Sequence, residues 1–180
     1  MKHKFIYFTS LFLLMLITGV FWGTWFTLTR SIESFSSEEF VHIGKVIIAN
    51  VAVPMSVIMP SGILMMLLSL GFYPRKNSMG FYSGLSSLVL IIVVLLVTLL
   101  VLVPIDNDIK EWTTSALPEK WEDIRDKWKI FHAIRTFASL ASFACFSFFI
   151  LTGSPKTKWY IGRNNMHQRP YYYRTFVISI

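Results

Sequence analysis

Apolar residues dominate the chain in four long runs, interrupted by three polar connections and followed by a polar tail. The runs lie approximately at 5–28, 46–72, 81–103 and 131–152. Each is long enough to cross a hydrocarbon layer of about 30 Å, which takes about 20 apolar residues in a helix. In a bilayer only helices and closed barrels satisfy every backbone polar group, so runs of this length predict helices. The pattern therefore predicts an all-α, integral membrane four-helix bundle, one domain over residues 1–180, with 153–180 as a basic tail. Lys2-His3-Lys4 ahead of the first run resembles a signal peptide. That run exceeds the usual h-region of about 7–15 residues and carries Trp22 and Trp25, so we expect a retained helix.

The short turn FYPRKNSMG predicts that the second and third helices are antiparallel neighbours. The other connections are longer and are expected to hold short cap helices on the outer side. In the first, Ser36 or Ser37 is a candidate N-cap with acids in the following turn. In the second, the third helix is expected to stop at Pro104 and a short amphipathic helix to begin near Ile109, with Asp108 as its cap. Trp112, Trp121 and Trp128 are the kind of residue that gathers at a membrane interface.

Composition agrees: 54% of residues are apolar and 15% charged, a balance of membrane proteins rather than soluble domains. A single cysteine, Cys145, excludes a disulfide framework, a CxxC redox pair and a cysteine-based zinc site. The net charge of +7 is unevenly placed. The N-terminus, the short turn and the tail carry nine Lys or Arg and no acid, whereas all ten acids fall on the other side. Both termini are thus expected in the cytoplasm, in a bacterial inner (plasma) membrane. The tail (Lys156, Lys158, Arg163, Arg169, Arg174, with Tyr171-Tyr172-Tyr173) is expected to face anionic lipid, not nucleic acid.

Candidate chemistry lies on the helices. Thr18, Trp22, Trp25, Phe26 and Thr29 share a face of the first helix, read either as a packing groove or as one wall of a pocket with Arg30 beyond it. Gly19 and Gly23 form a small-xxx-small pair. Asn50 in the second helix is expected to face the bundle interior, because an unpartnered amide in hydrocarbon is costly. The third helix is expected to face lipid, with Gly84, Ser86 and Ser87 available for self-association. Trp128, His132 and Arg135 fall within about 60° of one face of the fourth helix, continued by Ser139 and Ser142. Trp128 reads as an anchor or a site residue, and Arg135 as a snorkelling or an interior charge.

A Gly/Trp-bearing first helix, a Pro-containing second, Pro104-Ile105-Asp106-Asn107 after the third and Trp128-x3-His132-x2-Arg135 opening the fourth together resemble the anthrone-oxygenase-like small membrane proteins. The resemblance implies a four-helix bundle and an oxygenase acting on polycyclic aromatic compounds without an obvious cofactor. Asp106 stands where that family often has Asn, which adds a candidate carboxylate base.

Two function classes follow. In the first, the protein is an enzyme or binder of a hydrophobic small molecule. His132, Arg135, Asp106 and Asn107 are then the catalytic candidates, and Trp22, Trp25, Arg30, Asn50 and Trp128 the substrate-binding ones. His132 would take a proton from a phenolic or anthrone-like carbon acid, and Arg135 or Asn50 would stabilise the enolate. A metal variant of that site uses His42, His132 and Asp106. In the second class, a non-catalytic membrane partner subunit or lipid- or quinone-binding protein uses the same residues as a structural network, with Asp106–Arg135 and Glu39–Arg30 as ion pairs.

Overall fold

A computed structural model describes residues 2–113 and 116–153. Its elements are α1 (Lys2–Thr27), a 3₁₀ helix (Thr29–Ser34), α2 (Ser37–Gly71), α3 (Met79–Val97), a π-turn (Thr98–Leu102), α4 (Val103–Glu111) and α5 (Trp121–Gly153). Four helical stretches, Lys4–Ser34, Ser37–Gly71, Met79–Glu111 and Trp121–Gly153, are long and apolar enough to cross a membrane. They make an all-α four-helix bundle. The tail residues Lys156 to Arg174 lie outside the described residues.

Two helices run further than the apolar runs alone indicate. Ser36 does cap a helix, but that helix is α2 itself. The Ser36 hydroxyl accepts from Glu39 N at 3.3 Å, and the Glu39 carboxylate accepts from Ser36 N at 2.8 Å. This reciprocal pair satisfies two of the amides that a helix start leaves open. Burial of Phe40 and Val41 then holds the first turns down. The third helix does not stop at Pro104 either. A π-turn immediately precedes the proline, and Val103 N bonds Thr98 O, five residues back. Proline in a regular helix loses one bond and its ring strikes the carbonyl four residues earlier. Widening the turn by one residue relieves that clash, so the axis passes through Pro104 into α4. Asp108 consequently lies inside α4 and caps nothing.

The four stretches hold 31 to 35 residues and so measure about 50 Å, against a hydrocarbon thickness of about 30 Å. Their ends meet at one side of the bundle, the hairpin end, where Tyr73 and Thr152 hydroxyls lie 3.3 Å apart. The other side of the bundle is the cap end. Two apolar cores follow this division. Leu14, Ile17, Phe21, Met59, Met66, Ile91, Val94, Phe146 and Phe149 fill the body. Ile32, Phe40, Leu102, Ile109, Trp112 and Trp128 form a second cluster at the cap end. Trp112 and Trp128 are buried in that cluster, packed against protein.

Hydroxyls tie the helices together. Ser87 Oγ donates to Ser142 O at 2.7 Å and Ser142 Oγ to Ser87 O at 2.8 Å, crossing between α3 and α5. Ser10 and Ser69 join α1 to α2 at 2.8 Å, and Thr18 Oγ1 donates to Ser139 O on α5. Gly84 and Ser87 are therefore buried seam residues and do not form a free surface for self-association; Ser86 alone of the three is exposed. Conversely, Gly19 and Gly23 have nothing within 4 Å of an added Cβ, so this pair supports no close helix approach within the described chain.

Gly84 sets the α3–α5 spacing. A Cβ there would lie 2.5 Å from Phe149 Cδ2 and 3.0 Å from Leu70 Cδ2. Gly84→Leu is expected to destabilise the bundle by about 1–3 kcal/mol, the usual range for overpacking, measured by SDS-titrated unfolding in mixed micelles. An unchanged unfolding midpoint would show that the seam opens freely at this point.

Candidate functional site

A cavity of about 390 Å³ lies between α1, α2, the α3–α4 stretch and α5, toward the cap end. Its walls are mostly apolar: Phe21 from α1, Ile48, Met55 and Met59 from α2, Leu95 from α3 and Ile109 from α4. Two charged side chains, Asp106 and Arg135, and the Trp128 indole also line it. An apolar enclosure with a few convergent polar groups is the usual form of a small-molecule site.

Helical phase builds the polar wall. Steps of four and three put Trp128, His132 and Arg135 on one face of α5, and the same stripe carries Thr136, Ser139 and Ser142, all fully buried. Trp128 and His132 stack with centroids 4.9 Å apart and planes 7° from parallel. The indole Nε1 donates to Asp106 Oδ1 at 3.0 Å, which holds the carboxylate of α4 against α5. His132 Nδ1 accepts from Arg135, with Nε at 3.1 Å and Nη2 at 2.7 Å. That acceptor role leaves a neutral ring's proton on Nε2. Nε2 is buried and makes no hydrogen bond. The Phe21 carbonyl lies near the ring and already accepts from Thr136 Oγ1 at 3.3 Å.

The Arg135 guanidinium lies over the Phe21 ring, 4.5 Å from its centroid. A cation on an aromatic face is stabilised by the ring quadrupole. Among the described residues no carboxylate lies within ion-pair distance of it, Asp106 included; the two ion pairs formed there are Arg125–Asp126 and Lys129–Glu33. Arg135 thus lies on the cavity wall against Phe21 and His132. The two ion pairs expected of a structural network are also absent. Asp106 and Arg135 share the cavity without touching, and Glu39 is occupied by its capping box while Arg30 lies over Trp25 and Phe26.

Other expected residues fall elsewhere. Asn107 is exposed and accepts from Lys110 Nζ at 3.0 Å. Asn50 is exposed on the outward face of α2, opposite the cavity-lining row that contains Ile48 and Val51; the expectation of an interior amide fails. Trp22 is 39% exposed and stacks on Trp25, which packs edge-on against Phe137, and neither ring lines the cavity. His42 is exposed, so it does not join His132 and Asp106 as a ligand set, and no three His, Cys, Asp or Glu side chains converge among the described residues. Phe21 is the site residue that the sequence reading missed. Its signal was the spacing of Leu14, Ile17, Thr18 and Phe21, which marks the buried stripe of α1.

Trp128→Phe keeps the ring stack and removes the one donor to Asp106 among the described residues. We expect a loss of about 1.5–3 kcal/mol, the range for a hydrogen bond to a charged group, in the same unfolding titration. No loss would mean that the Asp106 carboxylate is held by other contacts.

The architecture defines the class: an all-α membrane bundle with a polar site buried at one end. Residues 45–145 match the sequence profile of the anthrone oxygenase family, and the chain belongs to that family. The matched segment begins near the start of α2 and ends inside α5, so it holds Asp106, Trp128, His132 and Arg135. No curated protein and no solved structure matches the chain.

Proposed function

We propose that the protein is a membrane-embedded oxidoreductase that converts an anthrone-type hydrophobic carbon acid to the quinone with dioxygen. The observation that carries this reading is an apolar cavity whose wall presents a guanidinium and a carboxylate that form no ion pair with each other. The family name supplies the substrate type.

Asp106 Oδ1 is engaged by Trp128, which leaves the second oxygen to take a proton from the activated CH₂ between the two rings. Proton removal creates an enolate, and Arg135 stabilises its oxygen, the electrostatic role most effective in a water-poor site. Dioxygen then adds to the carbanionic carbon. The resulting hydroperoxide loses water and becomes a carbonyl, so one substrate and one O₂ give one quinone and one H₂O. The substrate carbon is oxidised and the dioxygen is reduced. His132 serves this scheme by holding Arg135, since its Nδ1 is occupied by that side chain.

The test uses the full chain in lipid nanodiscs supplied with anthrone in air. The expected result is anthraquinone formation above the protein-free rate, with one O₂ consumed per anthrone. A rate equal to that of empty nanodiscs overturns the reading.

A further inference from the structure

Residues lining the cavity differ sharply in exposure. Toward the cap end the walls are sealed: Ile32, Phe40, Ile109 and Trp128 are buried. On the side the cavity is open. The exposed lining residues are Ala52, Ser56 and Pro60 on α2, with Leu99 and Val103 opposite them. The first three are spaced by four residues, as are the last two, so each set makes a row along one helix face. Two exposed rows facing each other across the same cavity outline a slot between α2 and the α3–α4 stretch.

We propose that this slot is a lateral portal, through which the ligand passes directly from the bilayer hydrocarbon into the cavity. The inference rests on the cavity being a binding site, as argued above. Depth supports it. Counting from Gly71 and Met79 at the hairpin end, Pro60 stands at about 16 Å, Ala52 at about 28 Å and Leu99 at about 30 Å. For a hydrocarbon layer of about 30 Å that begins at those two residues, the slot opens to lipid over the half nearer the cap, with Val103 just past its edge at about 36 Å.

The local sequence makes such an opening tolerable. Ala52 and Ser56 are short, so they leave the gap that longer side chains would close. Pro60 has no N–H, which deprives the Ser56 carbonyl of its helical donor. The π-turn Thr98–Leu102 interrupts the regular ladder on the facing wall. Irregular backbone at membrane depth is tolerated where it lines a cavity rather than bare lipid.

The arrangement also selects a ligand class. Asp106, Trp128 and Arg135 occupy the cap-end part of the cavity and Met55, Met59 and Leu95 the part toward the hairpin end. An amphiphile with an oxygen-bearing end and an apolar body keeps, on entering, the orientation it has in the leaflet. It passes the apolar slot as a neutral molecule, because a charge there has no partner. Carrier-bound or permanently anionic forms are excluded.

The test needs no ligand assignment. A small aryl trifluoromethyl diazirine is dissolved in the lipid of vesicles containing the full chain and photolysed, and carbene adducts are mapped by mass spectrometry. Adducts are expected on the cavity-facing, buried Ile48, Met59 and Trp128 as well as on lipid-facing Leu100, with none on the closed core residues Ile91 and Phe146. Ser56→Trp, and independently Leu99→Trp from the other wall, are expected to remove the cavity adducts and keep those on Leu100. Both positions are exposed on the rims of the slot, and circular dichroism confirms that each variant is folded. Cavity residues unlabelled in the wild-type chain overturn the portal, as does labelling that persists in both variants. Anthrone turnover without cavity adducts would sink the portal alone; adducts without turnover would sink the oxidase reading alone.

Discussion

Asp106→Asn lowers anthrone turnover by about a hundredfold or more, the scale on which removing a general base acts. The substitution is chosen to isolate chemistry from folding. An amide oxygen occupies the place of Oδ1 and still accepts from Trp128 Nε1, now 3.0 Å away, so the α4–α5 contact survives. What disappears is basicity. The measurement is quinone formation in nanodiscs at saturating anthrone and air-level oxygen, with the unfolding midpoint as the control. The loss is expected in kcat, because the carboxylate acts on the proton and not on the body of the substrate. A full rate with normal folding would remove Asp106 from the chemistry.

Arg135→Leu produces a loss of similar size, about 10²–10³ in kcat, the effect of deleting a donor aimed at a developing oxyanion. Leucine preserves apolar volume over Phe21 and leaves His132 without its partner. Arg135→Lys is the informative companion. It restores the charge but not the two-pronged donation to His132 Nδ1 or the planar contact with Phe21. Turnover of Arg135→Lys is therefore expected to fall between that of Leu and that of the wild type. His132→Leu separates holding from charge: the guanidinium remains but loses its anchor, so the rate falls while Arg135 is intact. Equal rates for His132→Leu and the wild type would show that Phe21 alone positions the guanidinium.

The four runs and the face carrying Trp128, His132 and Arg135 were legible because they depend on local quantities, run length and a 100° step per residue. Membership of the anthrone oxygenase family was legible from the short motifs at Pro104–Asn107 and Trp128–Arg135, both inside the matched segment. The helix ends were not legible in the same way. Pro104 reads as a stop, and only the neighbouring π-turn turns it into a continuation. Sidedness failed where polarity was used as the guide. Asn50 reads as inward because it is polar, and the tryptophan face of α1 reads as a groove or a pocket wall, whereas packing turns Phe21 and Ile48 inward. On α1 the difference between the two stripes is a single residue, or 100° of rotation. Side-chain pairing across helices, such as Trp128 with Asp106, depends on the relative height of two helices, which no single run encodes.

The crossed hydroxyls of Ser87 and Ser142 have a mechanical consequence. α3 and α5 run antiparallel, the two bonds are reciprocal, and one turn away Ser83 Oγ donates to Cys145 O at 2.8 Å, so the three bonds together fix the register of the two helices. Sliding one helix along the other would break all three at once. Arg135 stands seven residues beyond Ser142 on α5, about 10 Å. Further out, the Trp128–Asp106 bond ties α4 to the same helix. The spacing of carboxylate and guanidinium is therefore set from both sides, by the seam below and the indole above.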